Sequence, residues 1–122
     1  MKGALNIAET VQTPEVRFDL DSGNLSISGK SYPENVRETY AELMLKLNEY
    51  KSFPNSNTNV DFKWLYYNTA TSKIIVEILR LLKAANTVLT VNWYCRKDFL
   101  LMIERAELFS DVLDMKINII SE

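Results

Sequence analysis

The sequence predicts an α/β fold: a mixed sheet with an N-terminal β-hairpin and about three helices. Three observations carry that prediction. Residues 14–29, PEVRFDLDSGNLSISG, alternate apolar and polar side chains on either side of a turn-forming DSGN, the pattern of two paired strands. Apolar residues then recur at helical spacing after Pro33, as on the inward stripe of a surface helix. In the second half, strand-like and helix-like stretches alternate, which requires crossovers and therefore parallel pairing.

Taken in order, residues 4–8 add a short strand before the hairpin. Val16, Phe18 and Leu20 fill one face of its first arm, and Leu25 and Ile27 one face of its second. Val36, Tyr40, Leu43, Leu47 and Tyr50 form the stripe of the first helix, with Arg37, Glu38, Glu42, Lys46 and Glu49 elsewhere around it. Two starts compete. Pro33 suits the first helical position with Tyr32 as cap, while Ser31 and Glu34 have capping-box spacing. The helix ends in the polar loop KSFPNSN. TNVDFKWLYY alternates again and puts Val60, Phe62, Trp64 and Tyr66 on one face. The second helix runs to about Ala85, with Lys73, Glu77, Arg80 and Lys83 as its narrow polar stripe, so it is covered on most sides. VLTVNWY is a further strand, DFLLMIERAELFSDVL a third helix capped by Asp98, and MKINII a last strand. With no linker or repeat in view, residues 1–122 are expected to form a single domain.

Composition narrows the function. The 122 residues contain no histidine and one cysteine, Cys95. The commonest general base and the commonest metal ligand are thus both missing, and a Ser-His-Asp or Cys-His site cannot be built. Catalysis within the chain is disfavoured, and neither a metal nor a cofactor is expected. A formal net charge of −2 is a poor basis for neutralising phosphates, so nucleic acid is not the expected partner. Membrane insertion is not expected, because apolar runs fall short of the roughly 18–20 residues of a span. Residues 1–10, MKGALNIAET, lack a signal-peptide core, which predicts a cytoplasmic protein. The partial calcium-loop pattern Asp19, Asp21, Asn24 is better read as the hairpin turn. Cys95 is expected to be a small semi-buried side chain.

The segment YYNTATSK, residues 66–73, concentrates Asn68, Thr69, Thr71 and Ser72 between a strand and a strongly apolar helix. Any of Asn68, Thr69 or Thr71 can cap that helix. The same turn can also carry a modification. A phosphate there faces the free N–H groups and positive dipole end of the helix, with Lys73 four residues from Thr69. It would add about −1.5 to −2 charges at the sheet's carboxyl edge, where ligands and partners of open α/β sheets meet the protein.

These blocks resemble a known family. TPEVRFD (13–19), GNLSISGKSYPEN (23–35), YYNTATSK (66–73) and VNWY (91–94) are similar, in order and spacing, to the SiaC-type regulatory phosphoproteins of bacteria. The resemblance implies a STAS-like fold and a switch protein rather than an enzyme. It implies that a cognate protein kinase phosphorylates Thr69 and that a metal-dependent serine/threonine phosphatase reverses this. It further implies that the unmodified form activates a diguanylate cyclase. Asn68, Thr71, Ser72 and Lys73, together with Tyr32, Glu34 and Asn35 of the SYPEN block, are the binding residues it implies. The alternative is a constitutive STAS-like protein-binding module of anti-sigma-antagonist type, without phospho-control. Two departures stand out: Ala70 and Thr71 follow the acceptor where the family has serines, and CRKDFLLMIERAE, with Arg96, Lys97 and Arg105, replaces an acidic cluster.

Overall fold

The computed structural model describes residues 3–122. Six strands form one sheet in simple sequence order: β1 (Ala4–Ile7), β2 (Glu15–Asp19), β3 (Asn24–Ser31), β4 (Asn57–Tyr67), β5 (Val88–Cys95) and β6 (Asn118–Ser121). β1–β2 and β2–β3 are antiparallel, whereas β3 through β6 are parallel. The expected hairpin is therefore β2–β3. Its DSGN turn is held by the Asp19 carboxylate, which accepts from the Asp21 N–H at 3.0 Å. Gly23 sits at φ 79°, a conformation that favours glycine.

Four helical segments complete the chain: α1 (Val36–Thr39), α2 (Ala41–Tyr50), α3 (Thr69–Ala84) and α4 (Leu100–Leu113). Each parallel connection steps one strand further in the same direction, so right-handed crossovers place all the helices on one face of the sheet. Burial agrees with this layering. Val16, Phe18, Leu25, Ile27, Val60, Phe62, Trp64, Val91 and Trp93 form the core with Leu43, Leu47, Ile74, Ile78, Leu82, Met102 and Phe109 from the helices. The opposite face is polar. Across it the Asn92 side chain donates to Asp61 at 2.9 Å and to Asn59 at 3.2 Å, and Asn118 donates to Asn92 at 3.1 Å. Parallel sheets are usually covered on both faces; here a ladder of amides keeps one side wet.

Three local expectations are corrected. The helix after Pro33 is capped by Asn35, whose side-chain oxygen accepts from the Glu38 N–H at 3.1 Å. Neither Tyr32 nor the Ser31/Glu34 pair starts it, because Ser31 still belongs to β3 and points into the core. The helix is also broken at Tyr40 (φ −101°, ψ 7°). Thr39 donates its hydroxyl back to the Asn35 carbonyl at 3.0 Å, a back-bond that bends helices.

The phase of β4 differs as well. Gly29 pairs with Trp64 but Lys30 pairs with Tyr66, so Leu65 is an extra residue in a bulge. Bulges reset the inward–outward alternation, and Gly29, at φ 117°, supplies the backbone freedom opposite it. Leu65 and Tyr66 therefore face outward, and Tyr67 takes the inward position expected for Tyr66. At α4, Asp98 does not cap. It pairs with Arg96 at 2.9 Å on the surface, and Phe99 occupies the cap position.

A pinned turn with a free hydroxyl beside a cationic cavity

The carboxyl ends of β3 and β4 lie side by side, Ser31 opposite Tyr67. This brings SYPEN and YYNTATSK together. The ladder runs one step past the strands, with the Asn68 N–H donating to the Ser31 carbonyl at 3.0 Å. Asn68 then caps α3: its side-chain oxygen accepts from the Thr71 N–H and from the Thr71 hydroxyl, both at 2.9 Å.

Behind the cap is a buried chain of hydroxyls. Thr71 Oγ1 lies 2.8 Å from Ser31 Oγ, which lies 2.6 Å from Tyr40 Oη. Proton counting fixes its direction. Asn68 Oδ1, at 2.9 Å, and the Ser31 carbonyl, at 3.2 Å, can only accept, so Thr71 donates its one proton to them and accepts from Ser31 Oγ. Ser31 then donates to Thr71, and Tyr40 donates to Ser31. All three hydroxyl residues are essentially inaccessible to solvent. Burial pushes the Tyr40 phenol up to about 12, against the opposing pull of its hydrogen bonds to Ser31 and Thr71. It therefore stays a donor at any ordinary pH.

Thr71 thus works inward and offers nothing to a partner directly. Thr69 is its complement. It is the first residue of α3 and is exposed, and its hydroxyl makes no hydrogen bond among the described residues. Ser72, one turn on, donates to the Thr69 carbonyl. Lys73 is exposed and forms no ion pair among the described residues. Tyr32 packs edge-on against Tyr66 with ring centroids 6.0 Å apart, so these aromatics form the shoulder of the same sheet edge. Glu34 is exposed, and Asn35 is engaged as the α1 cap.

On its other side Thr69 borders a cavity of about 220 Å³ lined by Tyr67, Thr69, Ser72, Arg105, Leu108 and Phe109. Arg105 stacks over the Tyr67 ring, 4.8 Å from guanidinium carbon to centroid, a cation–π contact. Burial pushes the Tyr67 phenol up, and the nearby Arg105 charge pulls the other way. The Tyr67 hydroxyl is buried and has no close hydrogen-bond partner among the described residues, with Arg105 as the cation beside it. Arg105 is the residue that sequence reasoning did not place here. It comes from α4, which follows β5 in the chain, more than thirty residues from Thr69. Cys95, by contrast, is buried and its thiol is pushed up by that burial, so neighbouring Arg96 and Lys97 do not activate it.

Fold and site together define a small α/β protein that presents a free hydroxyl on a capped strand-to-helix turn. Residues 7–122 match the family described as SiaC family regulatory phosphoprotein, and the chain belongs to that family. It is 28% identical to apo-SiaC from Pseudomonas aeruginosa, with a TM-score of 0.86 over 96% of this chain and 98% of that one. A chain in the crystal structure of the P. aeruginosa diguanylate cyclase SiaD in complex with its activator SiaC is 27% identical, with a TM-score of 0.90 over 97% and 99%. An uncharacterised protein of P. aeruginosa strain UCBPP-PA14 is 29% identical over 110 residues, covering 88% of this chain and 87% of its own length. No helix among the described residues is long and apolar enough to cross a membrane.

Two measurements test the turn. In urea denaturation, Thr71→Val should cost about 1–3 kcal/mol, because it strands buried polar groups. Thr69→Val should stay within about 0.5 kcal/mol, as for an exposed residue outside the cap; equal losses would contradict the division of labour. The second concerns alkali. The folded-state pKa of Tyr40 is raised from 10.0 to about 12, so its stabilisation is complete below pH 10 and is lost as pH rises through 12. Tyr40→Phe should be less stable than the parent at pH 8. Denaturation midpoints at pH 8, 10 and 11.5 should show that gap closing.

Proposed function

We propose that this chain is a phospho-switch, with Thr69 as acceptor. A cognate kinase transfers the γ-phosphoryl group of ATP to Thr69 Oγ1, the hydroxyl proton passing to the kinase's base and ADP leaving. A metal-dependent serine/threonine phosphatase reverses the transfer. The unmodified form binds and stimulates a diguanylate cyclase, and both events take place in the cytoplasm. The similar P. aeruginosa SiaC is an activator in complex with the cyclase SiaD, which supports the choice of effector.

The observation that carries this reading is the pairing of the idle Thr69 hydroxyl with an apolar surface. α4 buries Met102, Ala106, Phe109 and Leu113 on one side, yet Leu101, Leu108 and Val112 are 52%, 60% and 58% exposed on the other. An exposed apolar stripe on a helix, here flanked by Glu104, Glu107 and Asp111, suits a partner's surface. Leu108 belongs both to that stripe and to the cavity bordered by Thr69. Phosphate at Thr69 therefore brings about −1.5 to −2 charges to the margin of the docking face. A partner seated there would have to desolvate a dianion, which opposes docking.

Three outcomes check the proposal. Incubated with ATP and its cognate kinase, the protein should gain one phosphate that mass spectrometry maps to Thr69; modification elsewhere with Thr69 untouched rejects the acceptor. Thr69→Asp should weaken cyclase binding by roughly tenfold or more while keeping its melting temperature, because a carboxylate suits the first turn of a helix. Leu108→Glu, on the exposed side of α4, should likewise abolish binding without unfolding the protein. Unchanged cyclase affinity in a calorimetric titration would remove α4 from the interface.

A further inference from the structure

The geometry points to Arg105 as an internal receptor for the phosphoryl group of phosphorylated Thr69, an assignment that rests on Thr69 being the acceptor. Arg105 and Thr69 line the same cavity, which has no carboxylate in its wall. Within it Arg105 is underused. A guanidinium carries five N–H donors, and among the described residues they reach Tyr67 alone: its carbonyl, two residues before Thr69, at a long 3.5 Å, and its phenol, on which Arg105 exerts a lowering pull. It forms no salt bridge among those residues, whereas Arg17, Arg37 and Arg96 each have a carboxylate partner.

Its position is nonetheless fixed. The stack on Tyr67 holds the fork beside the turn, and Leu108 and Phe109 make the surrounding wall apolar, which strengthens charge pairing. A planar fork matches phosphate oxygens in pairs, which a lysine cannot do. Lys73 is the sequence-adjacent cation, but it is exposed and does not line the cavity. Phosphate held by Arg105 would join the start of α3 to the middle of α4 and fill the cavity beside Leu108. The modified turn then closes over one end of the apolar stripe as well as charging it.

The test installs phosphothreonine at position 69 of the full chain during translation, so that no kinase is needed, and titrates it by phosphorus NMR. The second phosphate pKa, ordinarily about 6, should fall by about one unit in the parent. It should return to about 6 in Arg105→Gln and stay low in Lys73→Gln. Matching titrations for the parent and Arg105→Gln overturn the capture, as does a shift abolished by Lys73→Gln instead. The Arg105 side-chain N–H resonance, followed in the unmutated chain, gives a readout that needs no substitution at 105. It should move and exchange more slowly once Thr69 carries phosphate, and an unmoved resonance overturns the proposal. A kinase that modifies another residue would refute the acceptor assignment without touching these titrations, so the two failures are distinguishable.

Discussion

The turn from β4 into α3 depends on a buried line of hydroxyls running from Tyr40 through Ser31 and Thr71 to the side-chain oxygen of Asn68. Each member lies on a different element: the break between α1 and α2, the end of β3, the first turn of α3, and the residue joining β4 to α3. Parts of the chain up to forty residues apart are thereby held at one point. Whether Thr71 turns its proton to Asn68 or to the Ser31 carbonyl, Ser31 donates to Thr71 and Tyr40 to Ser31, so the line keeps one direction. Chains of this kind strengthen one another in a low-dielectric interior, and a gap in one is costly. The result is a helix start that cannot drift, with its first side chain turned outward.

The same arrangement leaves an exposed threonine with no part in supporting the turn. The cap belongs to Asn68 and the buried anchor to Thr71, which leaves Thr69 with no structural duty. Next to it lie features that respond to charge: the positive end of α3, the stacked guanidinium of Arg105, and an α4 surface that is apolar where water would favour polar side chains. On the reading proposed above, a modification at this point would alter electrostatics and access together without calling on the β-sheet beneath.

Much of this was legible in the sequence, and what was hidden has identifiable causes. The hairpin, the parallel half of the sheet and the placement of the hydroxyl cluster at a strand-to-helix turn follow from periodicity and from turn residues. The cap was narrowed to three candidates but not chosen, since Asn68, Thr69 and Thr71 are all suitable locally and Ser31, forty residues from Thr71, decides between them. Ser31 itself was misread for the same reason: its spacing to Glu34 fits a capping box, yet tertiary contact claims it for β3. The bulge at Leu65 leaves no mark on the alternating pattern, because Tyr66 and Tyr67 are equally fit to be buried. Arg105 was hidden by distance and by its helix, in which an arginine between two glutamates resembles a solvated face.

The separation of support from the exposed hydroxyl also bears on how such a protein can change over generations. Position 69 can be substituted at little risk to folding, so on the reading proposed above a lineage could gain or lose the acceptor in one step. Asn68 and Thr71, which hold the turn, carry a folding cost that Thr69 does not. Inheritance of the scaffold and of the exposed hydroxyl thus falls on adjacent residues under different constraints.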